Sequence, residues 1–174
     1  MKTIQGKIIV VPMGKKHIPG YRHVLDQVAR EIIFLLAVKA PPLNEVRKAI
    51  LRKLRDKETQ MVAMDGEKMV GWCNIRPDSR PGTSHVGLLY MGVLKKYRKM
   101  GVGAKLLDRS LRHAELVRGF ESVQLEVYAS NFRAINLYKK YGFKVDGLRK
   151  KARKHQGKYE DILLMSKFFK KSGK

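Results

Sequence analysis

Between Arg98 and Ala104 the chain reads Arg-Lys-Met-Gly-Val-Gly-Ala, a spacing that suits capture of an anion. An apolar run from Val86 to Leu94 precedes it, and from Gly101 onward Val102, Leu106, Leu107, Leu111 and Ala114 recur at helical spacing. The stretch therefore predicts a strand, a turn and the start of a helix. The first N–H groups of a helix lack partners and its dipole adds partial positive charge, so phosphate oxygens dock there on backbone. Glycine at 101 and 103 keeps side chains out of that approach. A P-loop needs Gly-x-x-x-x-Gly-Lys-[Ser/Thr], which is missing, and a dinucleotide fingerprint needs Gly or Ala where Leu106 stands. Taken alone, the two glycines also suit a chain that does no more than turn into a helix.

The Arg-x-x-Gly-x-Gly pattern, set between an apolar strand and an amphipathic helix, resembles the pyrophosphate-binding signature [Gln/Arg]-x-x-Gly-x-[Gly/Ala] of the GNAT superfamily of N-acetyltransferases. Downstream, LEVYASNFRAINLYKKYGF from Leu125 to Phe143 is similar to the ribosomal-protein alanine acetyltransferase and phosphinothricin acetyltransferase branches, which commonly place Asn, Ala, Leu-Tyr and Gly-Phe at these relative positions. The two segments cover about the C-terminal half of the chain. A third segment, Gly157-Lys158-Tyr159-Glu160-Asp161 with Met165, resembles an ending found in several branches and does not choose between them.

The resemblance implies acetyl-CoA as co-substrate and a primary amine as acceptor. It places the pyrophosphate on Arg98, Lys99, Met100, Gly101, Val102, Gly103 and Ala104. The pantetheine arm falls along Met91 and Val93, with the Val93 N–H polarising the thioester carbonyl, and Asn131 and Tyr138 contact the cofactor. Glu126 matches the general base of the ribosomal-protein branch, and Tyr138, twelve residues on, matches the proton donor to the coenzyme A sulfur. Each residue also has a plainer reading: Glu126 on the polar face of its strand, Tyr138 packed in an amphipathic helix, Asn131 as a helix cap. His85 is a fallback base. Trp72 reads as core, and Cys73 as a small buried hydrophobe with no histidine partner.

The elements that must position these residues follow from periodicity and punctuation. Lys7–Val11 reads as a first strand ended by Pro12, and His17–Glu31 as a helix, while Ile32–Ala40 fits either a helix end or an extended segment beside the acceptor. Pro41-Pro42 leads into a helix with Leu43, Val46, Ile50 and Leu54 inward. Gln60–Met64 and Met69–Ile75 form a hairpin about Asp65-Gly66. Asp78–Gly82 is a loop. After the helix of Gly101–Arg118, Ser122–Tyr128 is a strand with Gln124, Glu126 and Tyr128 on its polar face. Asn131–Tyr141 is a helix capped by Ser130 or Asn131 and stopped by Gly142. Phe143–Leu148 and Tyr159–Phe168 make the last strand pair, linked by a basic segment and a turn at Gln156-Gly157. The expected fold is α/β of the GNAT type: a mixed, mostly antiparallel sheet of six to seven strands with helices on both faces.

At 174 residues the chain is read as one domain, with a disordered tail from about residue 170. One cysteine excludes an internal disulfide, and the five histidines show no metal-ligand spacing with it. No apolar run is long enough for a transmembrane helix and no secretory signal opens the chain, so the expected location is cytoplasmic and no membrane partner is expected. The net charge of +23 draws anions over distance. Thirteen Lys or Arg against three acids fall between Lys139 and Lys174, centred on Arg149-Lys150-Lys151-Ala152-Arg153-Lys154. That cluster is read as a solvated face, or as a contact for an acidic surface or nucleic acid, although no aromatic residue is interleaved with it. The leading function is acetyl transfer to a protein N-terminus or lysine by a monomer or homodimer. A small-molecule amine is the alternative acceptor, and a basic nucleic-acid or ribosome-binding module on the same fold is the alternative from another class.

Overall fold

The computed structural model describes residues 8–170 apart from Ile33 and Leu36. Among these, seven strands and four α-helices form one sheet with a helical layer on each face. In chain order they are β1 (Ile9–Pro12), α1 (Ile18–Arg30), α2 (Leu43–Arg55), β2 (Thr59–Asp65), β3 (Lys68–Pro77), β4 (Val86–Val93), α3 (Val102–Leu116), β5 (Ser122–Tyr128), α4 (Phe132–Lys140), β6 (Lys144–His155) and β7 (Lys158–Phe168). The sheet order is β1-β2-β3-β4-β5-β7-β6, and every neighbouring pair is antiparallel except β4 and β5. A parallel pair needs a crossover, and α3 supplies it.

Each helical layer has its own core. Leu106, Leu107, Leu111 and Ala114 of α3 and Ile135 and Tyr138 of α4 pack on Cys73, Ile75, Leu89, Val123 and Met165. On the opposite face Tyr21, Val24 and Val28 of α1 and Val46 and Ile50 of α2 close over Val62, Met64 and Trp72. The apolar spacing in α2 meets this core through Val46 and Ile50, whereas Leu43 in its first turn is exposed.

The feature that shapes the site is where β4 and β5 part. They pair at Val86–Ser122, Gly87–Val123 and Leu88–Gln124 and no further. Past that point β4 stays bonded to β3 as far as Val93, and β5 stays bonded to β7 as far as Tyr128. The strands therefore open into a V.

Two expectations change. The segment Ile32–Ala40 has no regular secondary structure where it is described; α1 ends at Arg30 and Ile32 takes a left-handed φ of 63°. Lys7 and the lead-in Met1–Gly6 lie outside the described residues, as does the tail from residue 171. The basic segment after Leu148 is a strand and not a linker. β6 runs on to His155 because β7 begins as early as Lys158 and pairs Arg153 with Glu160 and Lys154 with Tyr159. A bulge between Arg149 and Arg153 absorbs the extra residues, with Lys151 donating its N–H to Asp161 Oδ1 at 2.7 Å. The Gln156-Gly157 turn closes the hairpin with both φ values positive, the geometry that matches strand twist.

Candidate active site

The turn after β4 is built as its glycines require. Gly101 is the N-cap of α3 at φ 75°, and a side chain there would be strained although nothing stands within 4 Å. A Cβ on Gly103 would meet Leu137 Cδ2 at 3.2 Å and Met91 Cε at 3.5 Å, so turn, β4 and α4 converge at this glycine. The free N–H groups opening α3 face a cleft of about 2050 Å3 that is lined by Arg98, Lys99 and Gly101–Ala104. Met100 turns instead to the α3 core. Met91 and Val93 line the cleft on the part of β4 that has left β5.

The cleft brings the other sequence-derived residues together. Glu126 sits on β5 beyond the last β4 pairing, about half exposed, and its Oε1 is ion-paired with the Arg149 guanidinium of β6. Tyr138 lines the same cleft from α4 with only 7% of its surface exposed, and it packs at 5.7 Å on Phe143. Burial, with Cys73 close by as the smaller cause, pushes its phenol up from the ordinary tyrosine range, so it is protonated at neutral pH. Asn131 Oδ1 accepts from the Ala134 N–H at 3.2 Å, so the residue caps α4 while lining the cleft.

The plainer assignments also receive positions. Trp72 is buried in the α1 layer, edge-on to Tyr21 at 5.7 Å. Cys73 is fully buried, and burial pushes its thiol up to about 12, which leaves it protonated and unreactive. His85 is exposed ahead of β4 and does not line the cleft. Among the described residues no group of three or more His, Cys, Asp or Glu is placed to hold a metal ion, and no helix is long and apolar enough to cross a membrane.

Several cleft residues escape a reading of the sequence. Tyr21, whose phenol burial pushes up to about 12, accepts from Asn74 Nδ2 at 3.0 Å. Both line the cleft. Glu31, the C-cap of α1, grips the Arg98 guanidinium with both oxygens at 2.5 and 2.7 Å. The basic cluster itself divides. Arg149, half exposed, pairs with Glu126 and Arg153 donates to the Ile32 carbonyl, while Lys150, Lys151 and Lys154 stay exposed without a carboxylate partner within salt-bridge reach among the described residues. Tyr159, opposite Lys154 on β7, lies 5.4 Å and 5.1 Å from the Lys151 and Lys154 ammonium groups. The aromatic missing from the run is therefore supplied by the neighbouring strand.

A V between parallel strands, ending in a glycine turn at a helix N-terminus with a carboxylate and a buried phenol beside it, suits transfer of an acyl group from a pyrophosphate-bearing thioester. Residues 30–143 match the acetyltransferase (GNAT) family, and the chain belongs to it. It is an acetyl-CoA-dependent N-acetyltransferase. The L-amino acid N-acetyltransferase AaaT of Escherichia coli is 31% identical over 108 residues, 62% of this chain and 67% of that one. An N-alpha-acetyltransferase of Sulfurisphaera tokodaii is 50% identical over 54 residues, 31% of this chain and 32% of its own length. Among solved structures, the ribosomal-protein-alanine N-acetyltransferase of Brucella melitensis superposes with a TM-score of 0.87 at 20% identity, covering 92% of this chain and 99% of that one. The Salmonella typhimurium acetyltransferase yncA, solved with its cofactor acetyl-CoA, gives 0.89 at 14% identity, covering 96% of each. At those identities the likeness shows the fold.

Proposed function

We propose that the acceptor is a polypeptide amine, an N-terminus or a lysine side chain, with Glu126 as base and Tyr138 as acid. The observation that carries this reading is the size of the cleft. At about 2050 Å3 it runs from Tyr21 on α1 to Phe168 on β7, whereas a pocket for one small molecule is on the order of 300–1,000 Å3. An extended chain fits beside the coenzyme.

In this reading the backbone from Arg98 to Ala104 holds the pyrophosphate. Met91 and Val93 hold the pantetheine arm much as an added strand is held, and Asn131 contacts it. Glu126, held by Arg149 and acting through water, takes a proton from the acceptor ammonium. The freed nitrogen lone pair attacks the thioester carbon, and the Val93 N–H stabilises the oxyanion. The C–S bond then breaks, Tyr138 gives its proton to the sulfur, and the proton that nitrogen sheds as the amide forms returns the phenolate to the phenol. The outward Lys150, Lys151 and Lys154 are left for contact with an acidic surface or nucleic acid. We place the enzyme in the cytoplasm as a single domain, monomeric or homodimeric; its lone buried Cys73 fits a reducing compartment.

The likeness to an L-amino acid N-acetyltransferase over more than half of the chain favours the second reading, a small-molecule acceptor. Labelled acetyl-CoA added to a lysate of the source cell, split by size and run beside Tyr138→Phe, separates the two. Label in macromolecules that is missing with the variant supports a polypeptide acceptor. Label among small molecules overturns it.

A further inference from the structure

We infer that the Arg98 side chain serves the acceptor side of the cleft, holding Glu31 and Phe34 where the chain leaves α1, so that filling the pyrophosphate turn and ordering the acceptor wall are linked. The inference rests on the proposed placement of the pyrophosphate at residues 98–104.

Arg98 is fully engaged. Its Nε donates to the Val93 carbonyl at 2.9 Å, its Nη1 and Nη2 fork onto the two Glu31 oxygens, and its guanidinium lies 4.5 Å from the centre of the Phe34 ring. Only 16% and 20% of the two paired side chains is exposed. A guanidinium whose charge is matched by a forked carboxylate and whose face is stacked on a ring is not aimed at a phosphate. The turn can therefore take phosphate by backbone while its first side chain does other work.

The same end of the segment 31–37 is held from the opposite arm of the V. Arg153 of β6 donates from Nη1 to the carbonyl of Ile32, the residue after Glu31, at 2.5 Å, and its guanidinium lies 5.2 Å from the ring of Tyr128, the last residue of β5. Ile32 is β-branched and left-handed at φ 63°, a conformation that persists only where the surroundings impose it. Arg98 stands by the end of β4 and Arg153 by the end of β5. Between them Glu31, Phe34, Leu35 and Ala37 line the cleft. Where it leaves α1 the segment forms a strap beside the opening, its first two residues held by one arginine from each arm.

Arg98 thus belongs to both sites, its backbone to the turn and its side chain to the strap. Docking that fixes the backbone fixes the anchor of Glu31, and by reciprocity a settled strap favours the occupied turn. Arg98 and Glu31 are positioning residues, and acetyl-CoA should order the wall that the acceptor meets.

The test is amide exchange over residues 31–40, read by mass spectrometry, together with titration of acetyl-CoA. It needs no acceptor, so the result does not depend on which amine is used. In the unmutated protein, saturating acetyl-CoA is expected to slow exchange of this segment by about fivefold or more. Glu31→Gln and Arg98→Gln should each speed exchange, abolish the effect of acetyl-CoA and lower affinity for acetyl-CoA by about the same factor that the exchange effect reads, and the double variant should be no worse than either. Arg98→Lys keeps the charge without the fork and should behave as Arg98→Gln, which separates positioning from charge if the glutamine variant folds poorly. Loss of about tenfold or more in acetyl-CoA affinity in Arg98→Gln, with exchange at 31–40 unchanged in Glu31→Gln, would make Arg98 a phosphate ligand and overturn the inference. Acetyl-CoA binding that survives Gly103→Arg would instead overturn the placement of the pyrophosphate on which it rests.

Discussion

On the cofactor side, a continuous stretch from Val86 to Leu116 supplies strand, turn and helix N-terminus, and its working groups are backbone N–H donors and an open strand edge. On the acceptor side, the working groups are side chains that meet from distant points of the chain: Glu31 with Arg98, 67 residues apart, and Arg153 with Ile32, 121 apart. Backbone sites tolerate drift in side chains but depend on a few glycines. Side-chain sites depend on each partner being present. The cofactor side can thus stay constant in a family while the acceptor side diverges, in keeping with relatives that match part of this chain and differ in the acceptor their names state.

The comparison can be broken first at Gly103. Gly103→Arg fills the approach to the turn, and acetyl-CoA affinity by calorimetry should fall by about a hundredfold or more. A near-normal affinity would mean that the backbone of the turn does not hold the donor. Next come Glu126→Gln and Tyr138→Phe, each expected to lower kcat by about a hundredfold with acetyl-CoA affinity retained, measured as thiol release in steady state. Because burial raises the Tyr138 phenol, no loss of rate up to about pH 9 should trace to it, and the pH profile of the unmutated enzyme checks this.

Smaller effects sharpen the contrast. Asn131→Ala removes the cap of α4 and should cost about 1 kcal/mol in urea unfolding. Reduced acetyl-CoA affinity beyond that cost would add a contact with the pantetheine arm. One histidine on each side gives the last test. His17, whose Nδ1 accepts from the Gly14 N–H at 2.9 Å, and His113, whose Nδ1 lies 2.8 Å from Thr59 Oγ1, are both held below the usual histidine value, chiefly by burial. The unfolded chain takes up these protons first. Stability is therefore complete above about pH 6.5 and is lost as pH falls through the lowered folded values. Urea midpoints between about pH 7.5 and 5 should show the decline, and His17→Gln or His113→Gln should flatten it. One shared transition would mean that the two sides unfold together; two would mean that they do not.

What the sequence made legible follows the same division. The strand–turn–helix of residues 86–116, the Asp65-Gly66 hairpin, the Asn131 cap and the apolar faces of α1 and α3 each depend on neighbours within a few residues, so local pattern sufficed. The partner of Arg98 did not, because it is set by where α1 ends against β4. Nor did the split of the basic cluster, since which arginines face Glu126 depends on a bulge and on pairing with β7. Tyr159 came between Lys151 and Lys154 only through that pairing. The segment 32–40 carried no period because it forms no helix or strand where described; distant arginines hold it, not its own propensity.

The V between β4 and β5 has a consequence for how long the enzyme lasts. Each strand offers unpaired N–H and C=O groups along an edge inside the sheet, the kind of edge that other chains readily join. A donor lying in the V as an added strand covers both edges, and any ligand that binds only the folded chain stabilises it by mass action, about 2.7 kcal/mol at a hundredfold excess over its dissociation constant. The co-substrate is then also a chaperone of the finished fold. Starved of acetyl-CoA, the protein should unfold, aggregate and be degraded sooner, so its abundance would follow the supply of the metabolite it spends.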